Sequence, residues 1–325
     1  MRSKFFNVFQ NFLRIKIIHV ISYECNCRCD YCMNHGIESY SDYAPIEDCI
    51  KFYNRLFSEA PSNLNVDFTI TGGEPFHPNC VENTLKLVRS MINKPFIDRI
   101  RINTNGYYEI PEELNSPKIL IQFSLDGNEE YCDKISHKPG LYKNVMKNID
   151  FCHEKGYWYQ TRTVITDENI DDLPDVVNLA LKNKHIAYIQ VAKPVGGNKD
   201  GSEVNNLMWT IELSKELEEK YSKYSNINIV QPFFGCSNLD PNCLDSIPFL
   251  INPKGEIGAC AFLSSKFMSK YTIYNLLDTT TLPKYKLYIY KHLKDATCSF
   301  PDGVSNFINQ LDEESKNKLL GRYRI

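Results

Sequence analysis

The chain has 325 residues, 42% hydrophobic and 24% charged, with a formal net charge of −3. These are the proportions of an ordinary globule with enough apolar material for a sizeable core. They give no general electrostatic pull toward nucleic acid or acidic membranes, and no run approaches the ~18 apolar residues of a spanning helix.

In chain order, MRSKFFNVFQNFLR sets Arg2, Lys4 and Arg14 beside Phe5, Phe9, Phe12 and Leu13 at helical spacing. A helix closing the bottom of a barrel suits this pattern better than a membrane-surface helix. It lacks the apolar centre and cleavage site of a secretory signal, so a cytoplasmic location is expected. So few residues precede the first strand that no separate leader-peptide-binding domain is expected ahead of it. Strand-like runs then alternate with amphipathic helix patterns. RIKIIHVIS, VDFTIT, FIDRIRIN, KILIQFS, WYQTRTVIT and IAYIQVA are β-rich, with helices around 45–59, 79–92, 141–155 and 172–183. That rhythm predicts an α/β fold with a parallel sheet of right-handed βαβ units, a partial (β/α)6 TIM-like barrel. From about residue 195 the rhythm breaks. A Gly- and charge-rich loop leads into one long helix, SEVNNLMWTIELSKELEEKYSKY. A hairpin signal follows, IPFLINP and EIGACAF about a turn at Lys254–Gly255, then helical stretches near 283–295 and 304–320. The expected division is a barrel over 1–225 and a small Cys-rich α+β domain over 226–325.

Twelve cysteines are many for a chain whose thiols stay reduced, and metal binding is the main reason to accumulate them. Directly after the first strand stands Cys25-Asn-Cys27-Arg-Cys29-Asp-Tyr-Cys32. Cys25, Cys29 and Cys32 form C-x3-C-x2-C, which can wrap three thiolates around one iron–sulfur cubane and leave one iron open. Zinc is the alternative, although a structural zinc site wants four ligands in paired knuckles. Cys27 falls out of the spacing and is expected to pack or face solvent.

This motif, with Tyr31 before the last cysteine, resembles that of the radical SAM superfamily, and further elements follow in the family's order. Thr71-Gly72-Gly73-Glu74-Pro75 is similar to the GGEP motif, which in the family receives the amino group of S-adenosylmethionine. Glycines allow close backbone approach, and Glu74 would offer a counter-charge to an ammonium. Asn103-Thr104-Asn105-Gly106 and Ser124-Leu125-Asp126-Gly127 resemble elements at the ribose and the methionine carboxylate, with Arg162 as a fork donor to that carboxylate. In a barrel all of these gather on the C-terminal rim. The resemblance implies a [4Fe–4S] cluster and S-adenosylmethionine as cofactors. It also implies a 5′-deoxyadenosyl radical that removes hydrogen from a substrate, and an electron donor such as flavodoxin or ferredoxin.

Cys236, Cys243, Cys260 and Cys298 form a second group. The frame C-x11-G-x4-C over Cys243, Gly255 and Cys260 resembles the opening of SPASM and Twitch extensions. With only Cys298 following, the shorter Twitch form, holding one auxiliary [4Fe–4S] cluster, is the better match. A zinc site or unligated thiols are the alternatives. Cys49, Cys80, Cys132 and Cys152 are expected in the core, with Cys132 as a candidate hydrogen-atom donor of the kind peptide epimerases of the superfamily use. His35 and His77 stand close behind two motifs. The stretch Tyr131–Ser136 keeps Asp133 but lacks the histidine and arginine that accompany it in sulfatase-maturase-like relatives, so that activity is not carried over. The expected function is modification of a ribosomally made peptide or protein by epimerisation, crosslinking or oxidation. The alternatives are a small-molecule dehydrogenase or rearrangement enzyme acting on an aminosugar or nucleotide, and a non-catalytic metal-binding scaffold.

Overall fold

The computed structural model describes residues 14–32, 43–58, 64–191, 203–230, 247–258, 270–278, 280–281 and 284. The N-terminal amphipathic segment up to residue 13, His35, Cys236, Cys243, Cys260, Cys298 and the helices expected near 283–295 and 304–320 lie outside them.

The strands are β1 (Arg14–Val20), β2 (Asn65–Thr71), β3 (Ile97–Thr104), β4 (Ile119–Ser124), β5 (Tyr159–Ile165), β6 (Ile186–Val191), β7 (Ile227–Val230), β8 (Ile247–Ile251) and β9 (Ile257–Gly258). They form one open sheet in the order β7-β6-β5-β4-β3-β2-β1-β8-β9. Every pairing is parallel except the β8–β9 hairpin. The helices are α1 (Ile46–Phe57), α2 (Val81–Met91), α3 (Glu129–Ile135), α4 (Leu141–Lys155), α5 (Leu173–Asn183) and α6 (Glu203–Tyr221). None of the described helices is long and apolar enough to cross a membrane.

Sequence periodicity explains how the layers meet. In α1, Ile46, Cys49, Phe52, Tyr53, Leu56 and Phe57 recur at one-face spacing and are buried. They meet Ile15 and Ile17 of β1 and Phe68 of β2 in one core, with Tyr53 and Phe68 rings edge-on at 5.2 Å. Ile100, Ile102, Ile119, Ile121 and Phe123 continue this helix-facing surface across β3 and β4. A second cluster, built from Leu173, Val177, Ala187, Ile189, Leu213 and Leu217, closes the β5–β7 side.

The predicted strands and the four barrel helices correspond to β1–β6 and α1, α2, α4 and α5, and the predicted hairpin is β8–β9 about Gly255 at φ +76°. Helix α3 and strand β7 were not expected. The sheet also runs across the boundary expected at 225. Beyond that point β7 pairs with β6, and β8 pairs in parallel with β1 over Ile15–His19. Parallel pairing needs a long crossover, which a local composition change does not reveal.

Candidate functional site: one rim at the C-terminal ends of the strands

The cysteine loop leaves β1, and the loop after β2 packs directly on its base. Gly73 N–H donates to Ser22 O at 2.7 Å and Glu74 N–H to Glu24 O at 2.8 Å. A Cβ on Gly72 would lie 2.3 Å from Ser22 O, and one on Gly73 would lie 2.0 Å from Glu24 O. These glycines therefore answer to the close approach of two backbones. Gly72, at φ +144°, also adopts a conformation that side chains disfavour.

Glu74 is fully buried. Its Oε1 accepts from Phe76 N–H at 2.9 Å and Thr104 Oγ1 at 2.7 Å, and its Oε2 accepts from Asn105 N–H at 2.7 Å. Burial pushes its carboxyl up to about 7 against those three donors. The expected counter-charge to an ammonium thus faces inward as a bracket between the loops after β2 and β3, and the loop backbone is what remains for a ligand. Pro75 completes the bracket, its carbonyl accepting from Thr84 Oγ1 of α2 at 2.8 Å.

Asn105 ties the third motif to the first. Its Nδ2 donates to Asn26 Oδ1 at 2.8 Å and reaches Cys27 Sγ at 3.4 Å and Cys25 Sγ at 3.6 Å. Cys25, Cys29 and Cys32 are half-buried, while Cys27, Cys49, Cys80, Cys132 and Cys152 are buried. Hydrogen bonding to Cys27 draws the Cys25 thiol down to about 6, and Cys27 is pushed up in turn. Three accessible thiols on one loop, one of them already favouring thiolate, fit the donor set of an iron–sulfur cluster.

The far side of the loop is held by a contact the sequence did not announce. Arg28 and Asp30 N–H groups donate to Ser136 O at 2.9 Å and Ile135 O at 3.2 Å, at the C-terminal end of α3. His137 Nε2 lies 2.7 Å from Asp30 Oδ1. Asp133, by contrast, accepts from Gly140 and Tyr142 N–H groups at the start of α4. Tyr31 donates its hydroxyl to Asp126 Oδ2, and Asp126 Oδ1 accepts from Val164 N–H at 2.7 Å. Burial pushes Asp126 up to about 6, opposed by the Tyr31 hydrogen bond. Asn169 fixes this loop from behind through the Asp126 and Val164 carbonyls.

Asn103 stands on the inner face of the sheet, accepting from Gln122 Nε2 at 3.0 Å, and Gln122 accepts from Gln160 Nε2 at 2.6 Å. Ser124 and Arg162 are register partners on that same face, where Arg162 donates to Gln190 Oε1 of β6. The structure thus brings Cys25, Cys29, Cys32, Tyr31, Gly72, Gly73, Glu74, Pro75, Asn105 and Asp126 together, with Asn103, Ser124 and Arg162 just inside. Cys132 is not brought there. It lies 5% exposed in the core, donating to Gly127 O, and burial pushes its thiol up to about 12. His77 packs on Tyr108 at 5.6 Å, with Nδ1 3.5 Å from Glu24 Oε2.

A family description of the Radical SAM superfamily matches residues 19–180, which runs from the end of β1 through most of α5 and includes every rim motif. Among curated proteins, the chain is 29% identical over 203 residues to a GTP 3',8-cyclase of Clostridium perfringens strain SM101, covering 60% of this chain and 59% of that protein. It is 25% identical over 278 residues to a GTP 3',8-cyclase of Crocosphaera subtropica, covering 80% and 77%. The chain therefore spans about three-fifths of the Clostridium relative. Among solved structures, Streptococcus suis SuiB bound to S-adenosylmethionine superposes with a TM-score of 0.61 at 16% identity, covering 84% of this chain and 68% of that one. The anSMEcpe structure with bound AdoMet and Cp18Cys peptide gives 0.63 at 16% identity, covering 92% and 86%. At such identities the likeness is one of fold.

Proposed function

We infer that this chain, which belongs to the radical SAM superfamily, uses its rim to bind a [4Fe–4S] cluster and S-adenosylmethionine and to remove a hydrogen atom from a substrate. One observation carries the reading: Asn105 joins the cysteine loop through its side chain and Glu74 through its backbone, so three separate motifs meet at one place. When bound, the cluster and S-adenosylmethionine supply one electron and a homolytic sulfur–C5′ break, giving methionine and a 5′-deoxyadenosyl radical.

The chain's own residues position and shield. Cys25, Cys29 and Cys32 would ligate three irons. The backbone of Gly72–Pro75 would receive the amino group of S-adenosylmethionine, held rigid by the buried Glu74 bracket. Arg162 would meet its carboxylate. Tyr31 and Asp126 join the cysteine loop to the loop after β4, which fixes the loop that carries Cys29 and Cys32. An electron donor of the flavodoxin or ferredoxin kind would deliver the electron. Cys236, Cys243, Cys260 and Cys298 would hold an auxiliary [4Fe–4S] cluster.

For the substrate, the leading reading is a ribosomally made peptide or protein. Support comes from neighbours of the same fold whose structures contain peptides, SuiB with precursor peptide SuiA and anSMEcpe with Cp18Cys. The second reading, a nucleotide, is favoured by the GTP 3',8-cyclase relatives. Anaerobic turnover with deuterated peptide or deuterated GTP separates them. Deuterium in 5′-deoxyadenosine from one substrate alone assigns the class. Cleavage of S-adenosylmethionine with transfer from neither excludes both substrates and leaves the radical step standing.

A further inference from the structure

The inner face of the sheet carries positive charge beyond Arg162, which the rim reading uses. Lys16 on β1, Arg99 and Arg101 on β3 and Arg162 on β5 alternate with residues sealed against the helices, among them Ile15, Ile17, Ile100, Ile102, Thr161 and Thr163, each fully buried. Side chains alternate along a strand, so these four cations share the opposite face. Two carboxylates stand near them: Asp67, whose Oδ2 is 3.0 Å from Arg99, and Asp98 in the β3 bulge, which accepts from Asn65 Nδ2 at 2.9 Å.

Register fixes where the surplus lies. Lys16, Asp67 and Arg99 stand abreast on β1, β2 and β3, and Ile18, Thr69 and Arg101 stand abreast one step nearer the rim. Above them Asn103 and Gln122 are already hydrogen-bonded to each other. Arg101 is two residues before Asn103, as Thr69 is before Thr71, which sets it about 7 Å below the loop after β2. Arg101 makes no hydrogen bond or ion pair among the described residues, and its buried Nε has no partner. The same holds for Arg99 Nε, Thr69 Oγ1 and Asp67 Oδ1. Burial lowers the Arg101 guanidinium, the nearby Asp67 carboxylate opposes this, and Arg99 beside it lowers it further. A guanidinium turned inward and left unpaired, as that of Arg101 is among the described residues, is unfavourable unless something anionic joins it, and its planar fork matches carboxylate and phosphate oxygens.

We propose that the floor formed by Lys16, Thr69, Arg99 and Arg101 receives an oxyanionic group of the substrate, a phosphate or a carboxylate, and aims the rest of that substrate at the rim. The proposal rests on the reading of the rim as the radical-forming site. Arg101 pairs with Leu120 and Arg162 with Ser124, four residues nearer the rim on β4, so this floor is set apart from the position read for the carboxylate of S-adenosylmethionine.

The test uses the full chain, reconstituted anaerobically with its cluster and saturated with S-adenosylmethionine, without reductant. Pyrophosphate and glutarate are the probes, read by calorimetry at low and high salt. One of them should bind once per chain, more weakly as salt rises. Arg101→Gln should weaken it about tenfold or more, Arg101→Lys should restore part of the loss, and Arg89→Gln on the exposed face of α2 should leave it unchanged. Pyrophosphate selectivity would mark a phosphorylated substrate and glutarate selectivity a carboxylate-bearing one. If Arg101→Gln does not fold, judged by cluster absorbance, Lys16→Gln reads the same expectation. Absence of saturable binding by either probe overturns the proposal, as does equal weakening by Arg89→Gln or weakening of S-adenosylmethionine in place of the probe. Because no radical is formed in this experiment, failure of the radical reading would appear separately, as probe binding by a protein that makes no 5′-deoxyadenosine.

Discussion

The two faces of the sheet are made from alternate residues of the same strands, and they do opposite work. Toward the helices stand Ile15, Ile17, Val66, Phe68, Ile70, Ile100 and Ile102, each at most 0% exposed. Toward the inside stand Lys16, Asp67, Thr69, Arg99, Arg101 and Asn103, with several buried atoms unpartnered. The first face supplies stability through burial, and the second forgoes stability to keep polar groups ready for a ligand. One residue's shift along a strand crosses from one function to the other, so neighbouring substitutions should have unlike effects.

The largest effect belongs to the helix-facing side. Phe68→Ala removes a fully buried ring packed on Tyr53 and should cost about 3–5 kcal/mol in urea unfolding. A cost below about 1 kcal/mol would break the comparison. Gly73→Ala comes next, because its Cβ would sit 2.0 Å from Glu24 O, a backbone atom that cannot swing aside. Overpacking there should cost about 3 kcal/mol. It should also lower cluster occupancy, since displacing Glu24 displaces Cys25; normal iron content with an unchanged urea midpoint would contradict this.

Acid sensitivity should also track the helix-facing side. Burial lowers His19 and His185 to about 4, whereas both titrate near 6.5 when unfolded. Between those values the unfolded chain binds more protons, so stability is complete above about pH 6.5 and is lost as pH falls toward 4. At pH 5 each histidine should account for a loss of about 2 kcal/mol. His19→Gln should flatten the urea midpoint's dependence on pH, and an unaltered dependence would remove His19 from the account. The smallest effect sharpens the contrast. Thr69→Val, one residue from the buried Phe68 and Ile70, replaces an unpartnered buried hydroxyl by a methyl and should change stability by less than about 1 kcal/mol in either direction.

This contrast also explains what the sequence disclosed. Six strands and the rim motifs were legible because apolar runs, Gly72-Gly73 and the residues around Asn105-Gly106 and Asp126-Gly127 are local signals. Helix α3 was not, since Glu129–Ile135 is short, and its grip on Arg28 and Asp30 spans about a hundred residues of chain. The hydrogen bonds of Glu74 were not legible for a similar reason: its partners Thr104 and Asn105 come from another strand and the loop after it. In FIDRIRIN the alternating arginines mark a strand but not which face they take, and only the pairing of β3 between β2 and β4 turns Arg101 inward. The hairpin of β8 and β9 was legible, but the pairing of β8 with β1 was not, because it crosses more than two hundred residues.

The most direct test of the central claim is an anaerobic count of iron and 5′-deoxyadenosine. The protein is reconstituted with iron and sulfide, reduced, and given S-adenosylmethionine, beside a variant with Cys25, Cys29 and Cys32 changed to alanine. The account predicts 5′-deoxyadenosine from the parent and a loss of about four irons per chain together with all product in the variant. Well-reconstituted, reduced parent protein that yields no 5′-deoxyadenosine, or a triple variant that still makes it, would contradict the account.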